Sequence, residues 1–262
     1  MKRTLVLLHG LASNATRWSE FAERTRLTDW RLLRPDLRGN GAAVLPRTRL
    51  GMDVWCADIA ALLDAEHCAR AVIGGHCLGA NIALQFAVRY PQRVSALVLV
   101  EPVPPEALSG ATGWLLVLKP VLYLIYAAAR AANSLGLYRR TLEPLDLREW
   151  DRATRSGERR LSLLASLGVD LKSTPVAAYA RMLAATVERW PGLADIRVPV
   201  LALVSTRSSL TDPQRTRQAL GALSDCDIVE LDAVHWIPTE QPDAMRAAIE
   251  DWLARRAPAA GS

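Results

Sequence analysis

The run Ala71-Val72-Ile73-Gly74-Gly75-His76-Cys77-Leu78-Gly79-Ala80 changes character twice. Val72 and Ile73 close a short apolar segment of strand type. Gly74 and Gly75 break it. From Leu78 the apolar positions take helical spacing through Ile82 and Phe86, and the pattern stops at Tyr90-Pro91. Gly75-His76-Cys77-Leu78-Gly79 therefore reads as a strand, a tight turn and a helix, with a nucleophilic side chain at the turn. Such a turn forces its central residue into a strained backbone conformation and leaves no room for side chains two positions either side. A residue placed there also meets the free N–H groups and positive dipole end of the helix, which favour a thiolate. A structural cysteine fits the five residues alone. The flanking strand and helix favour the chemical reading.

Length and composition set the frame. The 262 residues suit one compact domain, or a core with an insertion. Half are apolar and 23% charged, an ordinary globular balance. The formal charge of +5 rests on arginine, since Lys2, Lys119 and Lys172 are the only lysines. The arginines are scattered, which argues against nucleic acid as a partner, while a mildly basic surface suits an acidic one. Cys56, Cys68, Cys77 and Cys226 show no metal-binding spacing and no disulfide framework. Met1-Lys2-Arg3 before Leu5–Leu8 imitates a signal peptide, but the apolar run is short and His9-Gly10 interrupts it, so a cytoplasmic chain is expected. Trp114–Ala132 is long enough to raise the question of a membrane. Lys119-Pro120 and Arg130 interrupt it, so a pair of lid helices is expected rather than a stable membrane span.

Taken in order, Thr4–Leu8 is a buried strand running into His9-Gly10-Leu11. Trp30–Arg34 is a second, followed by Pro35-Asp36-Leu37-Arg38-Gly39-Asn40-Gly41, where Asp36 and Arg38 are expected to hold the loop. Met52–Ala65 is an amphipathic helix. Val94–Val100 is a third apolar strand, ending at Glu101-Pro102. Residues 102–190 break the alternation with helical stretches at 115–132, 161–171 and 176–190. Trp114, Tyr123, Tyr126, Trp150, Tyr179, Met182 and Trp190 are there to line a pocket or simply to pack. Strands at Val198–Val204 and Asp227–Leu231, a helix capped by Asp212-Pro213 and a last helix from about Gln241 to Arg256 resume the pattern. Near-continuous apolar strands alternating with amphipathic helices predict an α/β fold, a mostly parallel sheet flanked by helices.

His9-Gly10 after the first strand, the 35–41 loop, the 75–79 turn and His235-Trp236 after the last strand together resemble the α/β-hydrolase fold family, of the lidded small esterase or thioesterase type. The resemblance covers the chain outside 102–190. It implies a core of 1–101 and 191–262 and a helical lid of 102–190. It also implies a Cys-His-acid triad, with Cys77 as nucleophile, His235 as general base, and the N–H groups of Leu11 and Leu78 as the oxyanion hole. No cofactor and no metal is implied. His9 is expected to shape its loop, and His67 and His76 to be structural.

Two departures from the family pattern matter. The acid ordinarily follows the strand here at Val198–Val204, yet Ser208 stands in its place. Asp212 lies four residues on, and Glu101, at the end of the preceding strand, is the other location the fold uses, as in some haloalkane dehalogenases. Both stay open, with Glu101 favoured. The second departure is the cysteine. A thiolate is expelled more readily than an alkoxide, so productive acylation favours a thioester, enol ester or aryl ester. The expected function is acyl transfer from an activated ester or thioester, ending in hydrolysis, cyclisation or transfer, with a place in natural-product assembly. The substrate is expected to be a hydrophobic acyl group, and a carrier protein or coenzyme A would suit the basic surface. Elimination chemistry with His235 as base is the alternative on the same site, and a hydrolase-fold protein that only binds is the alternative outside catalysis.

Overall fold

The computed structural model describes residues 2–44, 48–137, 142–156 and 163–256. Positions 161 and 162 of the expected helix 161–171, and the tail Ala257–Ser262, lie outside them. Six strands form one sheet: β1 (Arg3–Leu8), β2 (Trp30–Leu33), β3 (Ala71–His76), β4 (Val94–Val100), β5 (Val200–Ser205) and β6 (Cys226–Leu231). Their order is β2-β1-β3-β4-β5-β6, and every neighbouring pair is parallel. The expected α/β architecture is the one observed.

Parallel strands need helical crossovers, and these cover both faces. The helices are α1 (Ser19–Arg24), α2 (Met52–Ala65), α3 (Leu78–Arg89), α4 (Trp114–Ser134), α5 (Leu147–Arg155), α6 (Leu163–Ser173), α7 (Val176–Thr186), α8 (Pro213–Leu220), α9 (Ile237–Glu240) and α10 (Pro242–Arg256). Side chains alternate along each strand, so the sheet feeds two cores. Val6, Leu8, Ile73, Leu97 and Leu99 meet Trp55, Ile59 and Phe86 on one face. Leu5, Leu7, Val72, Val98 and Val100 meet Phe21, Ile249 and Trp252 on the other. This two-residue period is why the central strands read as unbroken apolar runs. β6 is the edge strand, and its side chains are half-buried or exposed.

The chain winds from β1 outward to β2, then returns to place β3 on the other side of β1. This reversal opens a crevice at the carboxyl ends of β1 and β3, where ligands bind in open α/β sheets. His9-Gly10 and Cys77 stand at those ends.

Between β4 and β5 the structure departs from expectation in two ways. Trp114–Ser134 is one continuous helix, not a pair, with Pro120 inside it. Pro120 is its seventh residue, so the ring removes one bond, to the Leu116 carbonyl, without stopping the helix. This stretch, Gly110–Ser134, is long and apolar enough to cross a membrane by length and composition. The second departure is α5, a polar helix that the apolar spacing does not announce. Asp146 caps it by accepting from the Arg148 N–H at 2.9 Å.

Candidate active site

The turn between β3 and α3 sets the geometry. Cys77 has φ 53° and ψ −115°, a left-handed conformation that non-glycine residues rarely adopt. Its N–H donates to the Val100 carbonyl of β4 at 2.9 Å, and its carbonyl accepts from Ala80 and Asn81 as α3 begins. A Cβ on Gly75 would collide with the Gly79 backbone, and one on Gly79 with the carbonyls of Leu8 and His9. The glycines are therefore required by contact as well as by pattern. Leu78 is the first residue of α3, where N–H groups have no partner within the helix.

Cys77 and His235 both line a cavity of about 500 Å³ at the crevice. Its wall is largely apolar and includes Leu11, Val103, Leu115, Tyr179, Val187 and Trp236. Trp150 also lines it. Among the other aromatic and methionine candidates, Trp114 is exposed, while Met182 and Trp190 are buried in the core over α2 and α3.

His235 is buried, and its Nδ1 lies 3.6 Å from Glu101 Oε1. That is an ion-pair distance, too long for a hydrogen bond, and Nδ1 has no closer partner among the described residues. Burial works against the charged imidazolium. The charge and hydrogen bond of Cys77, and then Glu101, outweigh it and raise the His235 pKa to about 10. Glu101 is also buried, at φ 48° just past β4. Burial alone would raise its pKa. His235 and two hydrogen bonds reverse this and hold the carboxyl below its ordinary range. The bonds come from the Ser205 N–H to Oε2 and the Ser208 hydroxyl to Oε1, each 2.7 Å.

Asp212 is elsewhere engaged. Its Oδ1 accepts from the Arg215 N–H at 2.9 Å and caps α8. Cys77, His235 and Glu101 thus converge, with Leu11 on the same cavity, and Asp212 does not join them. His9 is fully buried. Its Nε2 accepts from the Leu37 N–H and its Nδ1 donates to the Gly10 carbonyl, both at 2.9 Å. Asp36 accepts from the N–H groups of Ala15 and Ala42, at 2.6 and 2.7 Å, and Arg38 pairs with Asp58.

Three contributions went unseen in the sequence. His76 Nε2 donates to the His235 carbonyl at 3.2 Å, and the two rings lie 5.3 Å apart. Glu240 accepts from the N–H groups of Val234, His235 and Trp236, at 2.9, 3.2 and 2.8 Å, and so clamps the loop that presents the imidazole. Ser208 braces Glu101. Only Glu240 has a local signal, a glutamate five residues after the histidine at the end of a short helix.

A family model described as serine aminopeptidase, S33 matches residues 1–240. The chain is 27% identical over 267 residues to 2-hydroxy-6-oxo-2,4-heptadienoate hydrolase of Pseudomonas putida, covering 95% of this chain and 88% of that one. It is 28% identical over 268 residues to lipase LipV of Mycobacterium tuberculosis, covering 96% and 94%. Against uncharacterised proteins of Mycobacterium tuberculosis and Mycobacterium bovis it is 33% identical over 100 residues, and the match spans only 28% of their length. The solved structure of an esterase from Thermogutta terrifontis superposes with a TM-score of 0.70 at 21% identity, covering 98% of this chain and 91% of that one.

Proposed function

The chain belongs to the serine aminopeptidase, S33 family of α/β-hydrolases, and on that premise we propose that it is an acyl-transfer enzyme working through an acyl-cysteine on Cys77. The observation that carries this reading is the left-handed Cys77, open to an apolar cavity beside His235, whose ring lies 3.6 Å from Glu101. In the proposed cycle His235 takes the Cys77 proton, and Sγ attacks the substrate carbonyl. The oxygen's charge rests on the N–H groups of Leu11 and Leu78. Collapse of the tetrahedral species expels the leaving group, which His235 protonates, and leaves the acyl group on sulfur. His235 then deprotonates water or another acceptor, which attacks the acyl-cysteine and returns the thiol. Glu101 is the acid that orients the imidazole, since Asp212 is spent as a helix cap.

Sulfur narrows the substrate. A thiol has a pKa of about 8.5, far below that of an alcohol, so a tetrahedral intermediate with an ordinary alkoxide expels the thiolate and reverts. Thioesters, enol esters and aryl esters avoid this. The apolar cavity wall supports a hydrophobic acyl group. In this reading residues 102–190 are the lid, and Leu115, Trp150 and Val187 are its contribution to the pocket. A thioester on coenzyme A or a carrier protein satisfies both the leaving-group requirement and the basic surface.

The test is intact-mass spectrometry after mixing with p-nitrophenyl butyrate and with a butyryl thioester. Wild type is expected to gain one butyryl group, mapped to Cys77. In Cys77→Ala the adduct disappears and turnover falls by at least about 10³-fold. Turnover by C77A within tenfold of wild type would remove the acyl-cysteine from the scheme and favour elimination chemistry, with His235 as base.

A further inference from the structure

Helix α4 presents an unusual surface. Its half-buried positions are Leu115, Lys119, Leu122, Tyr126, Ala129 and Asn133, a stripe at three- and four-residue spacing, with Ala132 beside it. Everything else is exposed, and almost all of it is apolar. Trp114 is 67% exposed, Val117 66% and Leu124 70%, with Leu116, Leu118, Val121 and Ile125 alongside. A helix apolar around its whole circumference is ordinarily buried, in a core or in lipid. At 1.5 Å per residue its 21 residues extend about 31 Å, and contiguous exposed apolar surface marks an interaction site.

We propose that the exposed face of α4 docks on an anionic lipid surface, with the helix lying in the plane of the interface. Charge selects this partner. Arg130 is exposed on the helix, Lys119 is half-buried at the edge of its seat, and no aspartate or glutamate stands between Glu106 and Glu143 in the sequence. Among the described residues neither cation has an acidic partner. Glu188, whose carboxylate reaches the helix through the Tyr123 hydroxyl at 2.7 Å, is already paired with Arg181 at 2.8 Å. Trp114 at the exposed helix start, with Tyr123, supplies the amphipathic rings that settle at headgroup level. The apolar face continues past the helix through Leu135 and Leu137. At its other end Ala111, Thr112 and Leu115 form part of the cavity wall, so the docked face and the cavity adjoin.

Two other occupants fit less well. A second copy packed through a two-fold axis would bring a stretch that carries Lys119 and Arg130 against itself, with no acid between Glu106 and Glu143 to neutralise them. A bilayer crossing would strip α4 from its seat, where the Tyr126 hydroxyl accepts from the Leu50 N–H at 3.0 Å and Tyr123 holds Glu188. A helix seated along one stripe and bare elsewhere suits burial to the depth of the headgroup and acyl boundary.

Vesicle flotation tests the proposal without reference to turnover, so it stands or falls apart from the acyl-transfer reading. The full chain is mixed with vesicles of phosphatidylcholine alone and of phosphatidylcholine with about one-third phosphatidylglycerol. Wild type is expected to float with the anionic vesicles and to be released by about 0.5 M salt. Val117→Glu/Leu124→Glu, which alters only exposed side chains, is expected to lose at least tenfold in affinity while keeping its circular dichroism. Lys119→Gln/Arg130→Gln, which removes the helix cations and leaves the apolar face intact should that variant misfold, is expected to lose about fivefold per charge on anionic vesicles and nothing on neutral ones. No flotation of wild type, or unchanged flotation of a folded V117E/L124E, overturns the proposal. So does a wild-type dimer by light scattering that V117E/L124E dissociates, which would give the face to a second copy. Retention after alkaline carbonate washing would overturn it in favour of a span.

Discussion

His9 closes the first strand with both ring nitrogens engaged, and this has a cost in acid. Burial depresses its pKa from an ordinary 6.5 to about 4, against smaller opposing contributions from the Gly10 carbonyl and Asp36. The unfolded chain protonates this ring near pH 6.5, and the folded one resists until about 4. The unfolded state therefore binds more protons in that window. Stability contributed by the neutral ring falls as pH drops through it and levels off below about 4, a loss on the order of 3 kcal/mol. His9→Gln is expected to be less stable at pH 7.5, having lost hydrogen bonds worth about 1 kcal/mol each. The gap to wild type should then narrow by about 2 kcal/mol at pH 4.5, read from urea midpoints. Parallel pH dependence in the two proteins would place the acid lability elsewhere, with His76, whose pKa burial also lowers, as the next candidate. The carboxylate question shows what a sequence can disclose at this scale. Glu101 is visible as a candidate because it ends an apolar strand. That Ser208 donates to it across 107 positions is not, because a hydroxyl has no pattern and the contact exists only once β4 and β5 pair. The Glu240 clamp is hidden for the opposite reason. Its partners are three backbone N–H groups, which every residue type except proline supplies.

Elements are legible where burial imposes a period. β4 and α2 have the ends that the apolar pattern gives them, and β1 differs by one residue. α5 lacks that signal because most of its residues are polar or charged and its buried positions are Leu147 and Asp151. α4 is misread as two pieces because proline weighs heavily in a sequence, while in the structure its cost is one missing bond near the helix start. Pro120→Ala restores an N–H to the Leu116 carbonyl and removes the steric conflict of the ring. A helix-interior proline costs about 3 kcal/mol relative to alanine, less the roughly 0.4–1 kcal/mol by which proline restricts the unfolded chain. Amide hydrogen exchange along 116–126 should therefore slow by about 2–2.6 kcal/mol of protection. Because Pro120 is exposed, its replacement leaves no cavity to offset the gain. Faster exchange in Pro120→Ala would mean that the ring sets a bend on which the α4 seat depends.

At the scale of the molecule, one buried network ties three distant segments together. Arg17, just before α1, extends Nη1 to Asp151 Oδ1 on α5 at 2.8 Å and to the Thr239 hydroxyl on α9 at 2.7 Å, and that hydroxyl donates to Asp151 at 2.7 Å. Arg17 and Asp151 are 6% and 4% exposed. Neighbouring bonds support the same junction: Asn14 Nδ2 donates to the Leu145 carbonyl at 2.7 Å, and the Leu147 N–H donates to the Thr16 hydroxyl at 3.0 Å. The network therefore fixes α5 against the loop after β1 and against the helix that follows His235. Its strength depends on both charges being present. The Arg17 Nε is already buried without a partner among the described residues, so removing the carboxylate leaves a cation poorly satisfied in a dry site. Asp151→Ala is expected to cost about 3–5 kcal/mol, and Arg17→Met/Asp151→Leu to recover most of it, because two apolar side chains avoid the desolvation that the pair must offset. A urea double-mutant cycle gives the coupling, and hydrogen exchange over 145–155 shows where it acts. Loss confined to 145–155 while the sheet keeps its protection would mean that the ion pair holds α5 in place without contributing to the core. Equal destabilisation of α5 and the sheet would mean that the two unfold together. A cost below about 1 kcal/mol, typical of an exposed pair, would mean that water reaches Arg17 and that this junction is not sealed.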